Sequence, residues 1–243
     1  MTAAARARLQ ARVPLLAVSA LSWIALIVRE RDPREALCTL APAQRAPGAL
    51  AAAAALMFGA MMLPAAAAPL RHVLDRSFAR RRLAAGTLFV AGYALPWVAA
   101  GVALLALAAR IDAARPAAPA FAAAILGIAL WQCSPAKQRC LNRSHSHPGL
   151  SPFGARAGLD VLRFGATHSL WCIGSCSALM LLPMLFPAIH LPLMAGVTLW
   201  LAGEKMAAPH APAWRLRGPS QLVRIVLGQT RAALHHAPIA GKA

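Results

Sequence analysis

The sequence predicts an all-α fold: a polytopic integral membrane helix bundle of about six transmembrane helices, with both termini in the cytoplasm. Three observations predict it. Of 243 residues, 59% are hydrophobic, and the mean hydropathy is +0.58. Apolar stretches of roughly 17 to 25 residues, the length that crosses a hydrocarbon core at 1.5 Å per residue, recur along the chain. The 25 Lys and Arg against 7 Asp and Glu, a net charge of +18, fall mainly in the connections between those stretches. A soluble domain this apolar would have too little polar surface to cover itself. The same apolar content excludes disorder, and basic residues spread over connections do not form the single face that nucleic acid requires.

The spans follow in order. Val13 to Val28 is preceded by Arg6, Arg8 and Arg12 and runs into Arg29 without a small-residue cleavage pattern, so it reads as a retained signal anchor. Ala49 to Leu70 and Leu83 to Ala109 contain no charged side chain, and Pro116 to Trp131 is a shorter span. Leu170 to Phe186 and Ile189 to Ala202 are interrupted by Pro183, Pro187 and Pro192. That pair reads either as two kinked spans with a tight turn at 186–190 or as one span with a re-entrant segment. With six spans, 19 of the 25 basic residues lie on one side, which places both termini inside. Arginine clusters such as those at 80–82 then mark stop-transfer sites and contacts with anionic lipid headgroups. Residues 1–206 form the transmembrane domain with a cytoplasmic Cys/His loop over 132–169. Residues 207–243 form a basic cytoplasmic tail. After Ser220, Leu222, Ile225, Val226 and Ala233 share one face of a possible interfacial amphipathic helix, with a disordered tail as the alternative. Alanine tracts such as 51–55 suit close helix packing in lipid.

Cysteines stand at 38, 133, 140, 172 and 176. Four fall on or beside the loop assigned to the reducing cytoplasm, which favours thiols over disulfides. Cys38, on the outer side, reads as a small apolar residue. In the loop, Ser134 followed by Pro135 is a helix start, a serine N-cap with proline in the first turn, so Cys140 is expected on a short surface helix with His145 and His147 following it. Further on, His168, Cys172, Cys176, Met180 and Met184 are spaced four apart, which keeps them on one helical face. Thiolates and thioethers suit Cu(I), and with imidazole they also suit zinc. Cysteine and methionine are also ordinary packing residues, so the same stripe is compatible with a core. His190, His235 and His236 are left unassigned.

At these clusters the chain resembles a bacterial family, the domain of unknown function 2182, described as predicted metal-binding integral membrane proteins. The residues that carry the resemblance are Trp131, Gln132, Ser134, Pro135, Lys137, Cys140 and Leu141, then His168, Cys172, Gly174, Cys176, Leu179 and Met180, then Glu204 and Lys205, over about residues 90 to 206. The resemblance implies a thiol site that in this chain falls to Cys140, Cys172 and Cys176, because Ser144 and Ser175 stand where the family pattern has cysteine. Histidines 145, 147 and 168 are the residues that would complete such a site.

These readings point to a multi-pass protein of a bacterial cytoplasmic (inner) membrane that binds copper or zinc through Cys140, Cys172, Cys176, His168, His145, His147 and Met180. Its expected partners are the bilayer and a metal-delivery or membrane protein, and nucleic acid is not among them. Two alternatives stand beside it: a membrane thiol redox protein and a non-catalytic assembly subunit. The sequence contains no hydrolase triad, phosphate loop or paired carboxylates, so no enzyme activity is expected beyond thiol redox chemistry.

Overall fold

A computed structural model of the chain describes residues 3–31, 47–114, 118–151, 153–217 and 228. Among them all regular structure is helical: α1 (Ala3–Glu30), α2 (Pro47–Met61), α3 (Ala67–Asp75), α4 (Arg82–Ala113), α5 (Ala118–Cys133), α6 (Pro135–Ser144), α7 (Gly154–Leu185) and α8 (His190–Met206), with short 3₁₀ turns between some of them. Three helical stretches are long and apolar enough to cross a membrane, 12–30, 79–113 and 156–185, and the number rises to five if two bent pairs each count as one span. α8, with 17 residues, is shorter than these. The proline-interrupted pair resolves as two helices joined at a tight 3₁₀ turn, Pro187–Ile189.

The apolar stretch from 49 to 70, expected to be one continuous span, is instead broken, with α2 and the segment after it bent by 57°. Pro64 is the cause. A proline has no N–H to donate to the carbonyl four residues back, which here belongs to Ala60. That carbonyl accepts instead from Ser19 Oγ at 2.9 Å and Trp23 Nε1 at 3.1 Å, both on α1. The lost helical bond is thus replaced from a neighbouring helix, as a buried backbone carbonyl requires.

The helix expected from Leu170 begins sixteen residues earlier, at Gly154. Arg156, Asp160 and Arg163 interrupt the apolar run without interrupting the helix. The predicted cap is present: Ser134 Oγ accepts from Lys137 N at 3.1 Å, with Pro135 opening α6. α5 and α6 meet at that cap with a bend of 55°. Cys38 and the tail helix expected after Ser220 lie outside the described residues.

The core runs along α4 and α7. A Cβ on Gly92 would lie 2.5 Å from the Leu162 carbonyl oxygen, and one on Gly165 would lie 2.5 Å from that of Phe89, so the two backbones are closer than any larger side chain permits. Small residues on both helices permit this approach. It turns Phe89, Tyr93 and Trp97 of α4 inward, each almost completely buried.

Candidate metal centre

The stripe on α7 faces inward along its length: His168, Cys172, Cys176, Met180 and Met184 are all buried. The close α4–α7 approach brings Tyr93, the sole tyrosine of the chain, against it. Ser169 Oγ donates to the Tyr93 carbonyl at 2.8 Å and fixes the register of the two helices. The Tyr93 hydroxyl lies 3.1 Å from Cys172 Sγ and 3.4 Å from the Met62 carbonyl oxygen.

Cys172 is the meeting point of four elements. Cys176 follows one turn along α7 on the same buried face. Met62 Sδ, from the bend after α2, lies 4.0 Å from Cys172 Sγ. Lys205 Nζ, from the end of α8, donates to the same sulfur at 3.2 Å. The Ser175 hydroxyl donates to the Cys172 carbonyl at 2.9 Å and sits 3.3 Å from Cys176 Sγ. Two thiols and a thioether, beside one ammonium and one phenol, make a soft and largely buried donor set.

A second buried polar cluster holds the end of α8 in place. Glu204, next to Lys205, turns toward α5 and α6, where its carboxylate pairs with Lys137 Nζ at 2.6 Å and accepts from Trp200 Nε1 at 3.2 Å. Gln132 bridges the pair, donating to Glu204 and accepting from Lys137. Residues 207–217 then cross the α5–α6 junction, where Arg217 donates to the carbonyls of Gln132 at 2.6 Å and Ser134 at 3.2 Å. The Gln, Lys and Glu of the sequence motifs therefore clamp three helices together and so position Lys205 beside Cys172.

The remaining expected ligands lie elsewhere. Cys140 packs on the backbone of Gly174, where an added Cβ would meet its sulfur at 2.7 Å. Gly174 is two residues from both Cys172 and Cys176, about 200° around the helix, so Cys140 meets the opposite side of α7. His145 directs Nδ1 to the Leu141 carbonyl at 2.9 Å and Nε2 to that of Lys205 at 3.0 Å, which leaves neither nitrogen facing a metal. His147 packs edge-on against His72, with ring centroids 5.0 Å apart. His168 packs between Tyr93 and Phe164, at 5.7 and 5.9 Å. Met180 lies in the core one turn beyond Cys176. Among the described residues, no three His, Cys, Asp or Glu side chains gather into a group that could hold a metal ion. The seven-residue set expected from sequence is therefore not assembled: Cys172 and Cys176 come together, and the third donor beside them is a thioether.

The model of a protein family described as the copper chaperone PpoB2 matches residues 51–227. The chain belongs to this copper chaperone family. Its metal-related character agrees with what the Cys, Lys and Glu motifs implied, although the description differs from the family named above, and the match reaches further toward both ends than residues 90 to 206. It takes in the Met62 bend as well as Glu204 and Lys205. Membership in the copper chaperone family points to copper handling and favours copper over zinc as the metal. No curated protein and no solved structure matches the chain.

Tyr93, Met62 and the Lys205 contact were not among the residues singled out as ligands. Lys205 was visible only as half of a motif. Met61 and Met62 carry a weaker signal, two thioethers directly before a helix-breaking Leu-Pro pair.

Proposed function

We propose that this chain is a multi-pass copper-handling protein of a bacterial inner membrane that binds Cu(I) as cargo through the sulfurs of Cys172 and Cys176, with Met62 as third donor. The observation that carries the reading is the convergence of Met62 and Lys205 on the Cys172–Cys176 pair in a member of a copper chaperone family. Cu(I) accepts two or three soft ligands, and thiolate with thioether is the set it prefers. A Cu(I) ion between two thiolates carries one net negative charge, which is costly to bury unless balanced. The Lys205 ammonium supplies that balance, and the Tyr93 hydroxyl supplies a hydrogen bond to sulfur. Outer partners of this kind tune a metal site as much as its ligands do.

In this proposal six helices cross the bilayer, α1, α2, α4, α5, α7 and α8, with both termini in the cytoplasm. The alternation of basic residues supports it. So do the large apolar side chains exposed on helix surfaces, among them Leu21 and Ile24 of α1, Leu95 of α4, Leu126 of α5, Leu170 of α7 and Leu199 of α8. The α3–α4 connection, with Arg76, Arg80 and Arg81, meets anionic headgroups. The protein passes its cargo to or from a delivery protein and catalyses no reaction of its own.

The test is elemental analysis of detergent-purified protein kept reduced. About one copper per chain is expected, lost in the double variant Cys172→Ser, Cys176→Ser and retained in Cys140→Ser. Full copper content in the double variant would overturn the site. A thiol redox role draws on the same adjacent pair, and a disulfide trapped between Cys172 and Cys176 under mild oxidation in the metal-free protein would favour it.

A further inference from the structure

The buried sulfur pair needs a route by which metal reaches it, and a cavity abuts it. Between the first turns of the described side chains of α1, the bend after α2 and the end of α8 lies a cavity of about 390 Å³, within the usual range of small-molecule sites. Its walls are mostly apolar, Leu15, Leu16 and Leu201 among them, with the thioethers of Met61, Met62 and Met206; among the described residues Arg12 and Lys205 are its charged side chains and no carboxylate lines it. Two of these wall residues, Met62 and Lys205, are among those that touch Cys172 Sγ, at 4.0 and 3.2 Å. The cavity and the thiol site therefore share a boundary.

The lining selects its occupant. A free metal cation would meet two positive side chains. An apolar molecule would suit the alkyl walls but leave the Arg12 guanidinium without a counter-charge. An anionic complex of a soft metal satisfies both, with its charge toward the two cations and its metal toward the thioethers. We propose that this cavity is the docking port for Cu(I) carried as an anionic complex of a small soluble thiol, from which the metal passes by way of Met62 to Cys172 and Cys176. The proposal rests on the reading of that pair as the cargo site. In the transfer, two bonds from copper to the carrier's sulfurs break and two to Cys172 and Cys176 form. The two protons of the protein thiols leave on the released carrier thiols, copper stays in the +1 state, and the net charge of the complex is unchanged.

The test uses the full chain in detergent, reduced and metal-free, with the Cu(I)–glutathione complex as one probe and the cationic Cu(I)–acetonitrile complex as the other. Arg12→Glu reverses the charge at the port and Ala65→Phe fills it. Loading from the glutathione complex is expected to slow about tenfold or more in Arg12→Glu, on the order of an electrostatic steering effect. Loading from the acetonitrile complex is not expected to slow in that variant, and final copper content should equal wild type in both. Ala65→Phe is expected to slow both probes. Equal loading from the glutathione complex in wild type and both variants overturns the port. A wild-type protein that takes up no copper from either probe overturns the thiol-pair site instead, so the two failures are distinguishable.

Discussion

Lys205 donates to Cys172 across 3.2 Å, so a lysine near the end of α8 brings a positive charge to a thiol in the interior of α7. The neighbouring Glu204 is paired with Lys137 at 2.6 Å, which leaves Lys205 to serve the sulfur.

Lys205→Leu is therefore expected to weaken Cu(I) binding by about 10- to 100-fold, the usual cost of removing an outer-shell partner. Lys205→Arg should recover part of the loss, because the charge is retained. Titration against a chromogenic Cu(I) chelator measures both, and an unchanged affinity in Lys205→Leu would refute the charge-balance argument.

Glu204→Leu leaves the Lys137 ammonium buried without its carboxylate, a change expected to cost roughly 3–5 kcal/mol. The double variant Lys137→Met, Glu204→Leu removes both charges and should be markedly more stable than Glu204→Leu alone. Thermal unfolding in one detergent gives the comparison. Equal melting temperatures for the single and double variants would mean that the pair does not hold α6 and α8 together.

Copper itself should stabilise the fold. A ligand that binds only the native state at about 100 times its dissociation constant adds on the order of 2.7 kcal/mol. Adding Cu(I) is expected to raise the melting temperature of wild type, and a strong Cu(I) chelator should reverse the rise. The variant Cys172→Ser, Cys176→Ser should not respond, and an equal rise in that variant would place the copper elsewhere.

The loop after α6 predicts a pH dependence. Partial desolvation, and after it the neighbouring His72, holds the half-exposed His147 imidazole below the usual histidine range; Arg71 and His145 add to the lowering, while a backbone hydrogen bond opposes it. Since the folded form resists protonation, the unfolded chain takes up the proton first as pH falls. The stabilising contribution is complete above about pH 6.5 and is lost progressively below it. Wild type should therefore lose more melting temperature than His147→Gln between about pH 7.5 and 5.5. A parallel loss in both proteins would argue against His147 as the titrating group.

Helix periodicity and local capping were legible in the sequence. The four-residue spacing placed Cys172 and Cys176 on one face, and Ser134-Pro135 marked the start of α6, because both features depend on residues within a turn of one another. The broken second span was obscured by hydropathy: Pro64 lies in an uninterrupted apolar run, and only its missing N–H distinguishes bend from helix. The third sulfur was not legible. Met62 and Cys172 are 110 residues apart, and no local pattern encodes which of the chain's methionines the α2 bend brings to α7. The packing of Cys140 against Gly174 was not legible for the same reason. Its place in a motif beside a helix start said nothing about which side of α7 it would meet.

The carbonyl of Ala60, left without its helical donor by Pro64 and served by Ser19 and Trp23, makes α1 a specific part of the fold. A foreign helix of equal hydropathy in place of α1 would leave that oxygen unpaired, and an unpaired buried backbone group costs about 1–3 kcal/mol. α1 is consequently not interchangeable with another apolar helix, and swapping it would disturb the kink that carries Met62 to Cys172.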